Sequence, residues 1–290
     1  MKHGILISAY KNLNHIEEII DFFNDDFSFY IHIDRKSKLP EAEIEKLKQN
    51  KKVAFVSRQY VTNWGGTHML KSILLLIKEA LKVPAFEYIH LISGGDFPIK
   101  SSTYFTEYFT KNKGKEFIEN FSLPSTRWAD GGMNRVLLYN LYDQFNGKSY
   151  SGSRIITTTQ KLQKLFGIKR KLASILPSLY GGSTWWSLSR GCLSYVIEYS
   201  QTKPELLERL KYSFCSEEIY FQTVVMNSPF KAKVVDDSLR YILWEFKNNS
   251  IPAVLDELDF VTLKESHHLF ARKFEEPVSV KLRNELKQTL

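Results

Sequence analysis

Glu217 and Glu218 stand side by side between Phe214 and the pair Tyr220 and Phe221. An apolar surround raises a carboxyl pKa, which suits such a group to take a proton from a hydroxyl as a general base. Acidic residues in a first helical turn also serve simply to offset the helix dipole, and Ser216 is a fitting N-cap for a helix over 216–226. Arg272 and Lys273 form a compact cationic group that can hold a diphosphate, or equally be a solvated helix end. His267 and His268 precede them, but adjacent side chains diverge on a helix and no carboxylate stands at ligand spacing, which argues against zinc. Trp64, Trp185, Trp186 and Trp244 are core residues or platforms for the apolar faces of sugars. No Asp-x-Asp occurs, so a metal-bridged nucleotide-sugar site of that kind is not supported.

The elements that must position these groups follow from periodicity and punctuation. Lys2 to Ala9 reads as a strand, Ile16 to Phe23 as an amphipathic helix, and Phe27 to Ile33 as a second strand ending at Asp34. Glu41 to Gln49 is helical, Val53 to Val56 is a short strand, and a helix runs from about His68 until Pro84 stops the pattern. Residues 1–100 thus alternate β and α, as a parallel sheet requires. The stretch from His90 to Lys100 is a buried strand that stops abruptly at Ser93-Gly94-Gly95-Asp96, where ligands of open α/β sheets bind. Asp96 there either touches a ligand or braces the turn.

Tyr104 to Thr110 is predicted helical and Glu116 to Phe121 extended. The region 124–179 mixes aromatics with Lys and Arg and is expected to form an excursion with a mobile loop around Gly147 to Arg154. Tyr180 to Ser189 returns to strand; Arg190 to Tyr199 and Pro204 to Lys211 are helical. Leu239 to Trp244 is β-like, and Leu255 to Ser266 is a helix leading into Phe270 to Phe274.

Composition sets bounds. With 290 residues, 43% of them hydrophobic, the chain can bury one large α/β core. No apolar run approaches the roughly 20 residues of a membrane span, and the early first strand leaves no room for a signal peptide, so a soluble, cytoplasmic protein is expected. Cys192 and Cys215 are too few for a disulfide framework. The net charge of +8 is scattered along helices instead of forming a nucleic-acid stripe; an anionic small substrate or an acidic membrane surface accounts for it.

Several segments, in this order, resemble the core-2/I-branching β-1,6-N-acetylglucosaminyltransferase family, which includes the peptide O-xylosyltransferases (glycosyltransferase family 14). They are the run from Phe29 to Asp34, Trp64-Gly65-Gly66, His90 to Lys100, Gly181 to Trp186, Glu218 to Val224, Leu239-Arg240 with Trp244, and Phe270 to Phe274. The region 122–179 carries little resemblance. The resemblance implies a GT-A type α/β fold with a Rossmann-like mixed sheet flanked by helices. It also implies one domain over 1–290, with a nucleotide-binding half to residue 121 and an acceptor-binding, catalytic half after it. It further implies inverting transfer of a sugar, N-acetylglucosamine first, from a UDP-sugar, with no metal or other cofactor.

Carried over by position, Glu218 matches the catalytic base and Lys273 the diphosphate-binding lysine. Ser8, Ala9, Tyr10, Asp34, Arg58 and Trp64 fall on the nucleotide side. Asp96, Glu119, Trp185, Trp186, Glu217, Trp244 and Phe246 fall on the sugar and acceptor side. The basic partner that several members give the lysine falls near Ala253 here, so Arg272 is expected to supply the second charge. Thr184 stands where xylosyltransferases have an acidic residue. The expected partners are a UDP-sugar donor, a glycan or lipid-linked saccharide acceptor and the inner membrane surface, with no nucleic acid. Transfer from UDP-xylose, UDP-galactose or UDP-glucose, and a non-catalytic carbohydrate- or nucleotide-binding protein, are the alternatives.

Overall fold

The run Ile5-Leu6-Ile7 is apolar at every position because the strand it forms is covered on both faces. The computed structural model describes residues 1–290. In chain order the first half comprises β1 (Lys2–Ala9), α1 (Leu13–Phe22), β2 (Phe27–Ile33), α2 (Glu41–Lys48), β3 (Val53–Ser57), α3 (Thr67–Ala80), β4 (Phe86–Ser93), β5 (Asp96–Pro98), α4 (Ser102–Lys111), β6 (Glu116–Ile118) and β7 (Phe121–Ser122). There follow α5 (Asn134–Leu137), α6 (Tyr150–Leu165), β8 (Tyr180–Gly181), β9 (Trp186–Ser189), α7 (Arg190–Thr202), α8 (Glu205–Leu210) and α9 (Glu217–Met226). The chain closes with β10 (Val234–Val235), β11 (Arg240–Ile242), α10 (Phe260–Glu265), β12 (Phe270–Arg272) and α11 (Val280–Thr289).

A seven-stranded mixed sheet has the order β10-β6-β9-β4-β1-β2-β3. Strands β1 to β4 are mutually parallel, as the β/α alternation requires, and β9 enters antiparallel between β4 and β6. A three-stranded sheet, β11-β12-β5, pairs the tail of the chain with the strand carrying Asp96, in the register Arg272 to Asp96. Side-chain alternation divides the core. Ile5, Ile7, Phe29 and Ile31 join α1, α2, α4 and α11 on one face; Leu6, Tyr30, Ile89 and Leu91 join α3, α7 and α9 on the other. This is the α/β architecture with a mixed sheet flanked by helices that the sequence implies.

A polar seam crosses the sheet. His3 on β1 lies 3.0 Å from His90 on β4, His90 lies 2.8 Å from the Ser187 hydroxyl on β9, and buried Arg240 donates to Ser187 at 2.7 Å. Arg240 also donates to the carbonyls of Leu91 and Trp186, which ties the two sheets together.

Five local expectations change. The segment Gly147 to Arg154 is not a mobile loop: Ser149 accepts from Gly152 N–H at 3.2 Å and starts the 16-residue helix α6. The extended run over 116–121 breaks into β6 and β7, and the run over 180–189 into β8 and β9, because their ends pair with each other in a separate two-stranded sheet. The helix predicted over 255–266 keeps only α10 plus a short 3-10 turn capped by Asp256. Ser216 does not cap α9: its backbone is already helical, and its buried hydroxyl has no partner.

The excursion is tied back to the sheet domain through a borrowed cap. Helix α3 begins at Gly66, which has no side chain to offer, and the Asp143 carboxylate accepts the N–H groups of Thr67 and His68, each at 3.1 Å. Gly65 takes φ +81°, and a Cβ there would lie 2.5 Å from the Phe214 ring, so this turn admits only glycine.

Candidate active site

The C-terminal ends of β1, β2 and β4 are stitched together. Asp34 N–H donates to the Ala9 carbonyl at 2.8 Å and Gly94 N–H to the Ser8 carbonyl at 2.9 Å. Tyr10 and Trp64 are both 53% exposed at this rim, with Trp64 edge-on to Phe214. The Ser8 hydroxyl donates to the Met69 sulfur. Asp34 is buried, and its Oδ1 accepts from the N–H groups of Lys36 (3.1 Å) and Thr62 (3.2 Å), binding the two loops that follow β2 and β3. Arg58 is engaged with Glu41 at 2.6 Å and with the carbonyls of Arg35 and Ser37. Among the residues assigned to the nucleotide, Asp34 and Arg58 therefore shape the rim, while Tyr10 and Trp64 present surface to it.

Asp96 is fully buried. Its Oδ2 accepts from the Ser93 N–H at 2.6 Å and from the Ser93 hydroxyl, and its Oδ1 faces Arg272 Nε at 3.9 Å. These contacts close the Ser-Gly-Gly-Asp turn on itself and pin it to β12. The Asp96 carbonyl accepts from His15 Nε2 at 2.9 Å, and Arg283 of α11 donates to His15 Nδ1 at 2.6 Å. An arginine can only donate, so this pair fixes His15 as the Nε2–H tautomer. Burial and Arg283 lower its pKa.

Helix α9 is buried on all sides, from Ile219 through Val225, and so holds its first turn rigidly. Glu218 emerges there, about a quarter exposed. Its Oε2 accepts from Arg135 at 2.6 Å and its Oε1 from the Thr184 hydroxyl at 3.2 Å. Arg135 in turn lies 3.6 Å from the centre of the Trp128 ring, a cation–π contact that fixes the guanidinium plane. Gly182 N–H donates to the Glu218 carbonyl at 3.0 Å, and a Cβ on Gly182 would fall 1.9 Å from the Glu119 carbonyl oxygen. Only glycine lets these three segments meet. Glu217 turns inward and is buried; desolvation, reinforced by the charge of Glu218, pushes its pKa to about 8. The neighbouring carboxyls thereby differ: Glu217 is buried with its pKa raised, and Glu218 is partly exposed and hydrogen-bonded.

Thr184 and Trp185 bridge this carboxylate to the cationic side. The Arg272 guanidinium sits 4.4 Å from the centre of the Trp185 ring, so consecutive residues touch Glu218 and Arg272. Lys273 does not share this environment. It pairs with Glu275, whose other oxygen lies 3.3 Å from Lys11, just beyond the end of β1. Burial alone would raise the Glu275 pKa, but Lys273 and Lys11 outweigh it and bring it down. Ala253 is buried against the Lys273 backbone, where its carbonyl accepts at 3.3 Å. Lys273 and Lys11 thus share Glu275, while Arg272 is turned toward Asp96 and Trp185.

The remaining residues separate. Trp186 is fully buried against Phe221 and belongs to the core. Trp244 and Phe246 are largely exposed on the segment after β11. Glu119 lies near Arg127, with its pKa raised by burial and by Asp236. His267 meets Asp237 at 2.9 Å and His268 lies beside them, a grouping across 30 residues that local spacing could not reveal. Cys215 groups with Glu217 and Glu218, but its thiol is fully buried, with its pKa pushed up by burial, and Glu218 is held by Arg135.

Sequence reasoning missed Arg135 and Lys11. Arg135 lies in the stretch that carries little resemblance, and its partner is 83 residues away.

A family model described as "Branch: Core-2/I-Branching enzyme" matches residues 5–265. Xylosyltransferase 2 of Mus musculus and that of Homo sapiens are each 25% identical over 299 residues, covering 96% of this chain and 31% of theirs. The chain spans about a third of the length of the curated relatives it matches. Among solved structures, S. aureus TarS 1-349 in complex with UDP-GlcNAc is 16% identical over 44% of this chain and 37% of that one, at a TM-score of 0.29, which carries no argument.

Proposed function

Because the chain belongs to the core-2/I-branching enzyme family, we propose that it is an inverting, metal-independent glycosyltransferase that moves a sugar from a UDP-sugar to a hydroxyl of a glycan or lipid-linked saccharide. The observation that carries this reading is Glu218, partly exposed at the rigid start of α9 and oriented by Arg135 at 2.6 Å and Thr184 at 3.2 Å.

Inversion requires attack from the face opposite the leaving group, through an oxocarbenium-like transition state. In this reading Glu218 takes the proton of the acceptor hydroxyl as its oxygen bonds to the anomeric carbon. The bond from that carbon to the diphosphate breaks, and its electron pair departs with UDP. Lys273, with Arg272 and Lys11, offsets the charge that develops on the diphosphate, the task a divalent ion performs elsewhere. Glu275 occupies Lys273 and Lys11, so donor binding exchanges one anion for another.

The donor we propose first is UDP-N-acetylglucosamine. UDP-xylose is the second reading, favoured by relatives named xylosyltransferase, while Thr184 in place of an acidic residue weighs against it. Turnover of a panel of UDP-sugars, with and without chelator, tests both. Release of UDP from one donor, unchanged by chelator, is expected. Strict dependence on added Mn²⁺ or Mg²⁺ would overturn the metal-free mechanism, and binding of UDP-sugars without turnover toward any acceptor would leave a non-catalytic binding protein.

A further inference from the structure

Between Asp143 and Glu198 the chain contains no Asp or Glu, and every charged side chain from Lys148 to Lys171 is a cation. Lys164 pairs with Asp130, and Arg170 is absorbed by the Arg209 carbonyl and the Tyr139 ring. Lys148, Arg154, Lys161, Lys169 and Lys171 have no carboxylate partner. Helix α6 buries Gly152, Ile156 and Gln163 on one side. At 3.6 residues per turn, Tyr150, Arg154, Lys161 and Leu165 fall together on the opposite side.

That outward side carries exposed apolar groups as well as cations, and the segment after the helix, residues 166–175, adds more of both. Tyr150 is 81% exposed, Leu165 76%, Phe166 70% and Ile175 72%, with Ile168 also exposed. Folded proteins rarely leave such side chains clustered in water unless something covers them. A basic helix whose outward face ends in Leu and Phe tips matches an interface in which the tips enter hydrocarbon while the cations meet lipid headgroups. A nucleic acid would satisfy the cations and leave Leu165, Ile168 and Ile175 in water.

We propose that the face formed by α6 and residues 166–175 docks the protein on an anionic lipid bilayer. The docking face is rigidly joined to the candidate site. Gln163 accepts from the Tyr139 N–H at 2.7 Å and donates to the Tyr139 carbonyl at 3.0 Å, Gln160 donates to Asn140 at 2.6 Å, and Arg170 N–H bonds the Leu137 carbonyl at 2.8 Å. These are the residues that follow Arg135, so a docked helix sets Glu218 at a fixed depth beneath the headgroups, where a lipid-linked acceptor would present its sugar. The docking itself stands on this surface alone and needs neither donor nor acceptor, so its failure leaves the transferase reading untouched.

Co-sedimentation of the full chain with phosphatidylcholine vesicles, with and without phosphatidylglycerol, tests it. Binding at least ~10-fold tighter to the anionic vesicles, weakened by salt, is expected. Two double variants, Arg154→Glu with Lys161→Glu and Leu165→Ser with Phe166→Ser, should each reduce partitioning by ~10-fold or more with an unchanged melting temperature. Equal binding to neutral vesicles, or indifference to both variants, would overturn the proposal. So would a wild-type dimer that Leu165→Ser with Phe166→Ser dissociates, since the face would then belong to a second copy.

Discussion

The Arg135 guanidinium donates to the Glu218 carboxylate at 2.6 Å while stacking on Trp128, which makes one side chain of the excursion responsible for where the candidate base points. Such charge-assisted hydrogen bonds contribute about 1.5–3 kcal/mol. Arg135→Ala should therefore lower kcat by roughly 10- to 100-fold, with donor KM little changed. Steady-state kinetics separates this from a binding defect: a raised KM with unaltered kcat would show that Arg135 positions the donor instead.

Replacing Glu218 by Gln keeps both hydrogen-bonding oxygen positions in shape but removes the proton acceptor. Loss of such a base costs about 10²- to 10⁴-fold in rate. UDP release by Glu218→Gln at wild-type speed would end its assignment as the base, and Glu217 would take its place. Glu217→Gln, which mimics an already protonated acid, should retain activity.

Glu217 also predicts an alkaline signature. Its pKa is raised in the folded chain, by burial first and Glu218 second, to about 8. The folded state therefore holds a proton that the unfolded state releases near its ordinary value. The stability tied to that proton is complete below about pH 4.5 and declines until pH passes about 8. Glu217→Gln should melt higher than wild type at pH 8 and lose that advantage at pH 5. Melting curves at the two pH values check this.

The histidines act in the opposite direction. Burial lowers His3 to about 3 and His32 to about 4, and lowers His15 and His90 as well. Each is neutral in the fold and charged in the unfolded chain at acid pH, so stability is full above about pH 6.5 and falls as pH drops through their lowered values. For His32 alone the loss is about 3 kcal/mol at pH 4. Melting temperature should fall steeply between pH 6.5 and 4; a flat profile there would contradict the buried neutral seam.

Asp96→Ala should remove the closure of the Ser93 to Asp96 turn and leave Arg272 without its carboxylate. A loss of about 1–3 kcal/mol for the orphaned buried groups is expected, read as an earlier denaturation midpoint. Unchanged stability with abolished donor binding would make Asp96 a ligand-contacting residue rather than a brace.

The parallel strands β1 to β4 were legible because strands covered on both faces read as unbroken apolar runs, and their ends carry Gly, Asp and Pro. Asp96, Glu218 and Lys273 stood out by residue type and motif. What surrounds them did not. Arg135 reaches Glu218 across 83 residues and Lys11 reaches Glu275 across most of the chain, and periodicity carries no record of such distances. Ser216 misled because a good capping residue sits where the chain is already helical, inside a packed first turn. Trp185 and Trp186 read alike and both are buried, Trp186 on β9 against Phe221 and Trp185 against the Arg272 guanidinium.

The carboxylate of Asp143 on the first turn of α3 has a practical meaning for anyone exchanging acceptor specificity between relatives. The insert from residue 122 to 179 looks like a removable module, since it carries little resemblance. A chimera cut there would still have to return an oxygen acceptor to the N-terminus of α3, or the helix would start with open donors against the sheet. The transplantable unit is therefore the excursion together with the helix start that it seals.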